Sequence, residues 1–325
     1  MLSITSTHII MLVVIILIIH MYIEITPLYK EYFEDYLDDG KVILKSWYKD
    51  DYTIENVEKF KKLLGNNILS RYKKIEIWNV FGPNPIQKEK DTLYIHFSGE
   101  PYYFKNSIFD IYLVPDLPDY KKNIINYTLA SFAINSIDQE TEHKKYMIES
   151  RLKMNKNKNR FCCFIVSNGL NEVRNNFFNE LNKYKQVDSA GSYLNNMNGY
   201  KAPRDYNEFK NFVSQYKFMI CFENTTDNYY LTEKLINAYK FETIPIYWGC
   251  PQASKIFNSN AFLQLSDKSS DIDVQNLINK IIELDKNDEL YYNMFNQPLY
   301  YNNKIPDLVD TNYIQNKIEE SLQTF

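Results

Sequence analysis

Hydrophobic positions in this chain follow two patterns: short apolar runs, and longer segments in which apolar residues are three and four positions apart. The short runs are typical of buried parallel strands, and the longer segments are typical of helices that pack on a sheet. The predicted strands are residues 41–48, 74–81, 92–97, 109–114, 161–166, 187–192, 218–222, 243–248 and 261–265. The predicted helices are residues 53–64, 171–184, 205–216, 271–284 and 313–322, with one more that starts after Thr232.

Strands that alternate with helices indicate α/β units with parallel sheets. A chain of 325 residues is too long for one ordinary core and suits two such units. We place a first α/β domain at residues 41–137 and a second at 161–300, with a closing segment and C-terminal helix at 301–325. Residues 138–160 are rich in charge and are expected to form a linker, although a solvated helix fits them equally well.

The N-terminus carries the apolar run IIMLVVIILII within residues 1–24. Its length is close to the ~20 residues that span a bilayer, so we expect an uncleaved transmembrane anchor followed by a stem at residues 25–40. A buried core strand or helix is the alternative. Because no Lys or Arg precedes the run, the flanking charges do not set its orientation.

Composition narrows the class of partner. The formal net charge is -4, so there is no basic field that would suit nucleic acid. The four cysteines, Cys162, Cys163, Cys221 and Cys250, have neither metal-ligand spacing nor the pattern of a disulfide framework. We expect them to be buried free thiols.

Residues 218–249 predict a strand, a loop, a helix and a second strand in succession. Ligands of such units bind at the carboxyl ends of the strands, against the helix N-terminus, which carries partial positive charge and free N–H groups. Lys234 adds a full charge there and suits a phosphate, whereas Glu233 suits a sugar hydroxyl. A nucleotide would satisfy both residues. The alternative is an ordinary helix, capped by Thr232, with a solvated first turn.

Two further candidates have simpler interpretations. The Asp271–Ile272–Asp273 triplet opens an amphipathic helix, so we interpret it as a cap and a helix-dipole feature, with a metal site as the less favoured reading. His96 lies inside a predicted strand, and a packing role is favoured over a catalytic one.

Four stretches of the chain resemble the α-1,3/4-fucosyltransferase family. FENTTDNYYLTEKLINAYKFETIPIYWGCP is similar to the donor-binding motif of that family. FIVSNGLNEVRNNFFNELNKYKQVDSAGS looks like its second signature, and FNSNAFLQL resembles the segment that follows. In the first predicted domain only FSGEP is familiar. The resemblance therefore covers residues 161 to about 299 well and the earlier part thinly.

The resemblance implies a GT-B fold, in which two Rossmann-like domains face each other across a cleft and GDP-fucose binds to the second. It implies that Arg174 and Lys234 hold the diphosphate and that Glu233 binds the ribose. The implied donor-binding residues are Arg174, Asn224, Tyr230, Glu233, Lys234, Asn168 and Gly191. Glu100 matches the general base of the family. On its own, Glu100 is an acid at a strand end, and a solvated loop acid is the alternative.

The expected activity is transfer of L-fucose from GDP-fucose to an oligosaccharide or glycoconjugate acceptor, with inversion. The expected acceptor atom is the 3-position of an N-acetylglucosamine or glucose residue. No cofactor or essential metal is expected, although a divalent ion could stimulate. The implied location is a single-pass, type II membrane protein of the Golgi or an equivalent compartment. The alternatives are a transferase for another nucleotide sugar and a non-catalytic, membrane-anchored glycan-binding module.

Overall fold

A computed structural model describes residues 37–38, 40–47, 53–119, 123–136, 138–154 and 157–323. The described chain forms two parallel-sheet, Rossmann-like units, as the hydrophobic pattern predicts. The predicted anchor, residues 1–24, and most of the predicted stem lie outside the described residues. Within the described ranges, no helix is both long enough and apolar enough to cross a membrane.

The sheet of the first unit has the strand order β1-β2-β3-β4-β5-β6. All neighbours are parallel except β1, which pairs antiparallel with β2. All side chains of β4 are buried, which is typical of a sheet whose two faces are both covered. The strands are β1 (Leu37–Asp38), β2 (Val42–Lys45), β3 (Lys74–Trp78), β4 (Thr92–Phe97), β5 (Ile111–Val114) and β6 (Ile124–Asn126).

The sheet of the second unit is entirely parallel in the order β11-β10-β9-β7-β8. The chain leaves β7 toward β8 on one side and then returns to place β9 on the other side of β7. The order of the strands therefore reverses between β7 and β9, where such sheets bind ligands. The strands are β7 (Arg160–Phe164), β8 (Val187–Ser189), β9 (Tyr216–Ile220), β10 (Ile244–Tyr247) and β11 (Leu263–Gln264).

The helices connect the strands and cover the sheets. Most begin at a side-chain cap, for example Thr53, Asn171, Asp205 and Ser270, because these side chains satisfy N–H groups that the helix leaves free. The helices are α1 (Ile54–Arg71), α2 (Leu129–Ile134), α3 (Gln139–Lys144), α4 (Ile148–Leu152), α5 (Glu172–Tyr184), α6 (Tyr206–Val213), α7 (Glu233–Lys240), α8 (Ala253–Ile256), α9 (Asp271–Lys286), α10 (Asp288–Phe295) and α11 (Thr311–Gln323).

The second sheet packs apolar side chains on both faces. Cys162 lies in the cluster on one face and Cys163 in the cluster on the other, because successive residues of a strand point to opposite sides. All four cysteines are free and buried, which confirms the prediction from their spacing. The last helix, α11, returns to the first unit, where Ile314 and Ile318 join the core beside the first sheet.

Several short elements were not predicted from the sequence, namely β1, β6, α2, α8 and α10. The short helix α2 lies between the two units. Its Ala130 N–H donates to the carbonyl of Leu231, 3.1 Å away in the second unit. The Ser131 hydroxyl donates to the carbonyl of Leu308 at 2.7 Å. Helix α2 therefore fixes the first unit beside the N-terminal end of α7.

The predicted linker contains α3 and α4, and it is less solvated than its charge indicates. Arg151 is fully buried. It donates to the carbonyls of Tyr239 at 3.0 Å and Thr243 at 2.8 Å, and its guanidinium lies 4.0 Å from the Phe295 ring. A buried cation needs such partners to offset its lost hydration. Helix α4 thus packs on the second unit through Arg151, while Leu152 of the same helix is exposed.

Candidate active site

The carboxyl ends of β7 and β9 lie side by side at the reversal point of the second sheet. The loop after β9 leads to α7, which starts at the same edge. Thr232 caps this helix: its side chain accepts from the N–H of Lys234 at 3.4 Å. Leu235, Ala238 and Tyr239 are buried and form the face of α7 that packs on the second unit. The free N–H groups and the positive end of the helix dipole therefore lie at the carboxyl ends of β7 and β9. We call the space outside these strand ends, between the two units, the crevice.

Glu223 lies three residues after Ile220, the last residue of β9, and is completely buried. Its Oε1 accepts from the Thr232 N–H at 2.8 Å and from the Tyr247 hydroxyl at 3.3 Å. Its Oε2 accepts from the Thr232 hydroxyl at 2.7 Å and from Lys234 Nζ at 3.0 Å. Four donors thus satisfy the carboxylate, as a buried charge requires.

Gly249 makes room for this carboxylate. A Cβ at Gly249 would come within 2.3 Å of the Glu223 side chain, and the backbone there has a φ of 148°, which favours glycine. Burial raises the pKa of Glu223, while the neighbouring Lys234 opposes that shift. Sequence reasoning assigned no role to Glu223. The available signal was an acid immediately after a fully apolar strand, close to the cap of the next helix.

Arg174 joins two other predicted donor-binding residues. It lies in the first turn of α5, its Nη1 donates to Asn224 Oδ1 at 2.9 Å, and its Nη2 donates to the Asn168 carbonyl at 2.5 Å. The residue is buried and its Nε has no hydrogen-bond partner among the described residues. Burial lowers the pKa of Arg174 below its usual value. The guanidinium thus holds the loops after β7 and β9 together beneath the crevice.

Gly191 lies just after β8, at the same edge of the sheet. A Cβ at this position would come within 2.0 Å of the Val166 carbonyl oxygen. The close contact gives glycine a packing reason at this position. Its role in binding a donor stays a prediction.

Glu100 comes from the first unit and faces α7. The turn after β4 is fixed by Ser98, whose hydroxyl donates to the Tyr102 carbonyl at 2.7 Å and accepts from the Glu100 N–H at 3.1 Å. Burial raises the pKa of Glu100; the charge of Lys234 and a hydrogen bond from Tyr230 lower it, and Glu233 raises it further. Three predicted donor-side residues therefore act electrostatically on Glu100, although they are more than a hundred positions away in sequence.

A cavity of about 190 Å³ adjoins Glu100 on the side of the first unit. Its walls are mostly apolar and include four aromatic side chains, and two carboxamides and the Glu100 carboxyl group add polar groups. The lining residues are Trp47, Asn56, Asn79, Phe81, Phe97, Gly99, Glu100, Leu129 and Phe132. Apolar walls with a few polar groups are typical of sites for small organic ligands.

The remaining candidates have structural roles. His96 is fully buried, its Nδ1 donates to the Trp78 carbonyl at 3.1 Å, and burial lowers its pKa to about 4. This confirms the packing interpretation. Asp273 forms a capping box with Ser270, which confirms the helix-cap interpretation of its triplet. Over the described ranges, no group of three His, Cys, Asp or Glu residues could hold a metal ion.

The family model and the relatives that this chain matches are all fucosyltransferases. Residues 155–319 match the model of glycosyltransferase family 10 (fucosyltransferase), C-terminal part. The chain is 44% identical over 110 residues to alpha-(1,3)-fucosyltransferase FucT of Helicobacter pylori, a match that covers 34% of this chain and 22% of that protein. It is 32% identical over 143 residues to GDP-fucose protein O-fucosyltransferase 3 of Xenopus tropicalis, covering 42% and 30% of the two chains.

These matches span less than a third of the length of either relative. The structural similarity covers more of the chain than these sequence matches do. A crystal structure of alpha1,3-fucosyltransferase with GDP-fucose superposes with a TM-score of 0.62 at 24% identity, and covers 87% of this chain and 89% of the other. At this identity the superposition establishes the fold.

Proposed function

The chain belongs to glycosyltransferase family 10, the fucosyltransferases, and from this premise we propose that it transfers L-fucose from GDP-fucose to a hydroxyl group of an acceptor glycan, with inversion. The donor would bind at the carboxyl edge of the second sheet. The acceptor, an oligosaccharide or glycoconjugate, would bind on the side of the first unit. The observation that carries this proposal is the junction of the two units: the Ala130 N–H of one unit donates to the Leu231 carbonyl of the other at 3.1 Å, and Lys234 and Tyr230 act there on the carboxyl group of Glu100.

In the proposed reaction the acceptor oxygen attacks the anomeric carbon of fucose while the bond from that carbon to the diphosphate oxygen breaks. GDP leaves with the bonding electrons, and the proton of the acceptor hydroxyl passes to Glu100. An alcohol is a poor nucleophile at neutral pH, so a positioned base is needed. Burial raises the pKa of Glu100, which makes its carboxylate a stronger base than an exposed glutamate.

The leaving diphosphate gains negative charge that the site must stabilise. Lys234 Nζ and the N–H groups at the start of α7 are the groups suited to this, since they are fixed before the reaction. Arg174 lies behind the loops of the same crevice and adds positive charge. Glu233, in the first turn of α7, would accept from the ribose hydroxyls. We propose that these groups do the work for which other transferases use a divalent ion, so that no metal is essential.

The cavity beside Glu100 supports an acceptor site there. Its aromatic side chains, Trp47, Phe81, Phe97 and Phe132, suit the apolar face of a pyranose ring. Asn56 and Asn79 suit its hydroxyl or acetamido groups. We propose the 3-position of an N-acetylglucosamine or glucose residue as the attacking atom.

The experiment is transfer from GDP-fucose by the purified chain to N-acetyllactosamine, lactose and free N-acetylglucosamine, with the mass and linkage of the product determined. Protection from thermal unfolding by GDP and by UDP is measured in parallel, because a ligand that binds only the folded state raises its stability. A fucosylated product and protection by GDP alone are expected. Protection by UDP instead would favour another nucleotide sugar, and binding without turnover would favour a non-catalytic module.

A further inference from the structure

Two buried glutamates hold lysines at the two ends of α7. At the N-terminal end Glu223 pairs with Lys234 at 3.0 Å, and at the C-terminal end Glu142 pairs with Lys240 at 3.7 Å. Lys234 lies beside Glu100 and the proposed diphosphate site, and its charge acts on the Glu100 carboxyl group. Lys240 is at the far end of the helix. The two pairs therefore offer a natural comparison between a functional and a structural ion pair.

We propose that Glu223 is a positioning residue for donor binding: it holds the Lys234 ammonium group at the N-terminus of α7, where it meets the diphosphate of the donor. This inference rests on the proposed function. It assigns to Glu223 an action through Lys234, because the carboxyl side chain is completely buried whereas the side chain of Lys234 is 29% exposed. A ligand in the crevice can reach the cation but not the carboxylate.

The hydrogen bonds explain how the ammonium group is held. Lys234 Nζ donates to Glu223 Oε2 at 3.0 Å and to Thr232 Oγ1 at 3.1 Å. The Thr232 hydroxyl in turn donates to Glu223 Oε2 at 2.7 Å, so the three groups form a closed triangle. An ammonium group has three donors. Two fix its position here, and the third is left to bind a diphosphate oxygen.

Glu223 also supports the charge of Lys234. Burial lowers the pKa of Lys234, but the charges of Glu223 and Glu233 and the hydrogen bond that Lys234 donates to Glu223 raise it above the usual value. Replacing the carboxylate by a neutral amide leaves burial less opposed, so the pKa of Lys234 falls. The lysine then loses its proton at a lower pH than in the wild type.

The opposite role, in which Glu223 sequesters Lys234, gives the opposite result. If the ion pair had to break before the diphosphate could bind, then Glu223→Gln would release the cation and tighten the binding of GDP. If Glu223 positions the cation, the same change weakens binding. The sign of the change in donor affinity thus separates the two roles.

The test compares Glu223→Gln with Glu142→Gln, its matched control at the other end of α7. For Glu223→Gln we expect kcat/KM for GDP-fucose to fall at least about tenfold, the loss expected when a charged group loses a hydrogen-bond partner. The KM for the acceptor should stay within about twofold, because Glu223 acts on the donor side. Glu142→Gln should leave both parameters unchanged. Thermal unfolding of each variant checks that it is folded.

A double-mutant cycle shows whether the effect passes through the lysine. In a Lys234→Met background, Glu223→Gln should change kcat/KM for GDP-fucose by less than about twofold, because coupled residues are not additive. When Glu223→Gln is the only change, the alkaline limb of the pH profile of kcat/KM should move to lower pH than in the wild type. If Glu223→Gln does not fold, Glu223→Asp serves instead: it keeps the charge but moves the carboxylate, so donor KM should rise while the alkaline limb stays in place.

Three results would overturn the inference: tighter GDP binding by Glu223→Gln, an effect equal to that of Glu142→Gln, or a full effect in the Lys234→Met background. Each of them leaves the proposed function intact, provided that the wild type transfers fucose. Absence of turnover by the folded wild type would instead count against the proposed function itself. The two failures are therefore distinguishable in one set of assays.

Discussion

The two sides of the crevice are built in different ways. Much of the proposed donor side comes from one piece of chain: Glu223, Thr232, Glu233 and Lys234 lie within one loop and one helix turn. The acceptor side collects Trp47, Phe81, Phe97, Glu100 and Phe132 from separate elements. The proposed donor-binding groups thus depend on local structure, namely a strand end, a helix cap and a helix dipole. The acceptor side depends on how the elements of the first unit pack.

Glu100 is the link between the two sides, so its replacement should have the largest effect. We expect Glu100→Gln to lower kcat by about 10²- to 10⁴-fold, the usual contribution of a general base. Because the amide keeps the shape of the side chain, GDP should still protect the variant from thermal unfolding. Initial rates at saturating GDP-fucose and acceptor measure the first effect.

Glu89→Gln is the matched control for that variant. Glu89 is an exposed glutamate of the same unit that pairs with Lys74, and its replacement should leave kcat unchanged. If Glu100→Gln kept the wild-type kcat, Glu100 would be a solvated loop acid, and the acceptor side would need another base.

Lys234→Ala sharpens the comparison from the donor side. Removing this charge should lower kcat/KM for GDP-fucose by about 10- to 100-fold, the cost of losing a hydrogen bond to a charged group. Lys240→Ala, at the other end of α7, should change it by less than about twofold, because helix-end electrostatics act within the first or last turn. Equal losses in the two variants would mean that Lys234 supports only the helix.

The donor side could be predicted from sequence because its information is local. The cap at Thr232, the start of α7, its packing face and the apolar strands on either side follow from residue types and spacing. The structure then brings Arg174, Asn168 and Asn224 together, as the resemblance implies. It also shows Arg174 beneath the loops rather than open to the crevice, which depends on side-chain packing and was not readable from spacing.

The first unit was less predictable because its structure depends on contacts between residues that are distant in the sequence. Short elements such as β6 and α2 carry too few apolar residues to show a period, and they are stabilised by tertiary contacts such as Ala130 with Leu231. The charges of the linker predict exposure, yet Arg151 is buried, and three backbone carbonyls accept hydrogen bonds from its guanidinium group. Such compensation depends on the folded chain and has no local signature.

The pH profile tests whether the two sides act on each other. Burial raises the pKa of Glu100 above its usual 4.5. A base works only when it is deprotonated, so activity should be present above that raised pKa and be lost as the pH falls through it. The acid limb of kcat/KM should therefore lie above 4.5.

Charge changes on α7 should move this limb in opposite directions. Lys234 lowers the pKa of Glu100 and Glu233 raises it, so Lys234→Ala should shift the limb to higher pH and Glu233→Gln to lower pH. Shifts of less than about one unit are expected from single neighbouring charges at a partly solvated site. A limb that stays in place in both variants would mean that the two sides do not interact across the crevice.

Removal of divalent metal should have the smallest effect. If fixed charges at the start of α7 stabilise the leaving diphosphate, a chelator should lower the initial rate by no more than about twofold. Rates are measured with EDTA, and with added Mg²⁺ or Mn²⁺ after dialysis. Complete loss of transfer in EDTA, restored by metal, would contradict the proposal that protein charges suffice.

The most direct test of the central claim is the position of GDP in a crystal of the complex. The account predicts that the diphosphate lies within hydrogen-bond distance of Lys234 Nζ and the N–H groups at the start of α7, with its terminal phosphate toward Glu100. A nucleotide bound at another edge of the sheet, or a diphosphate that does not contact Lys234, would contradict it.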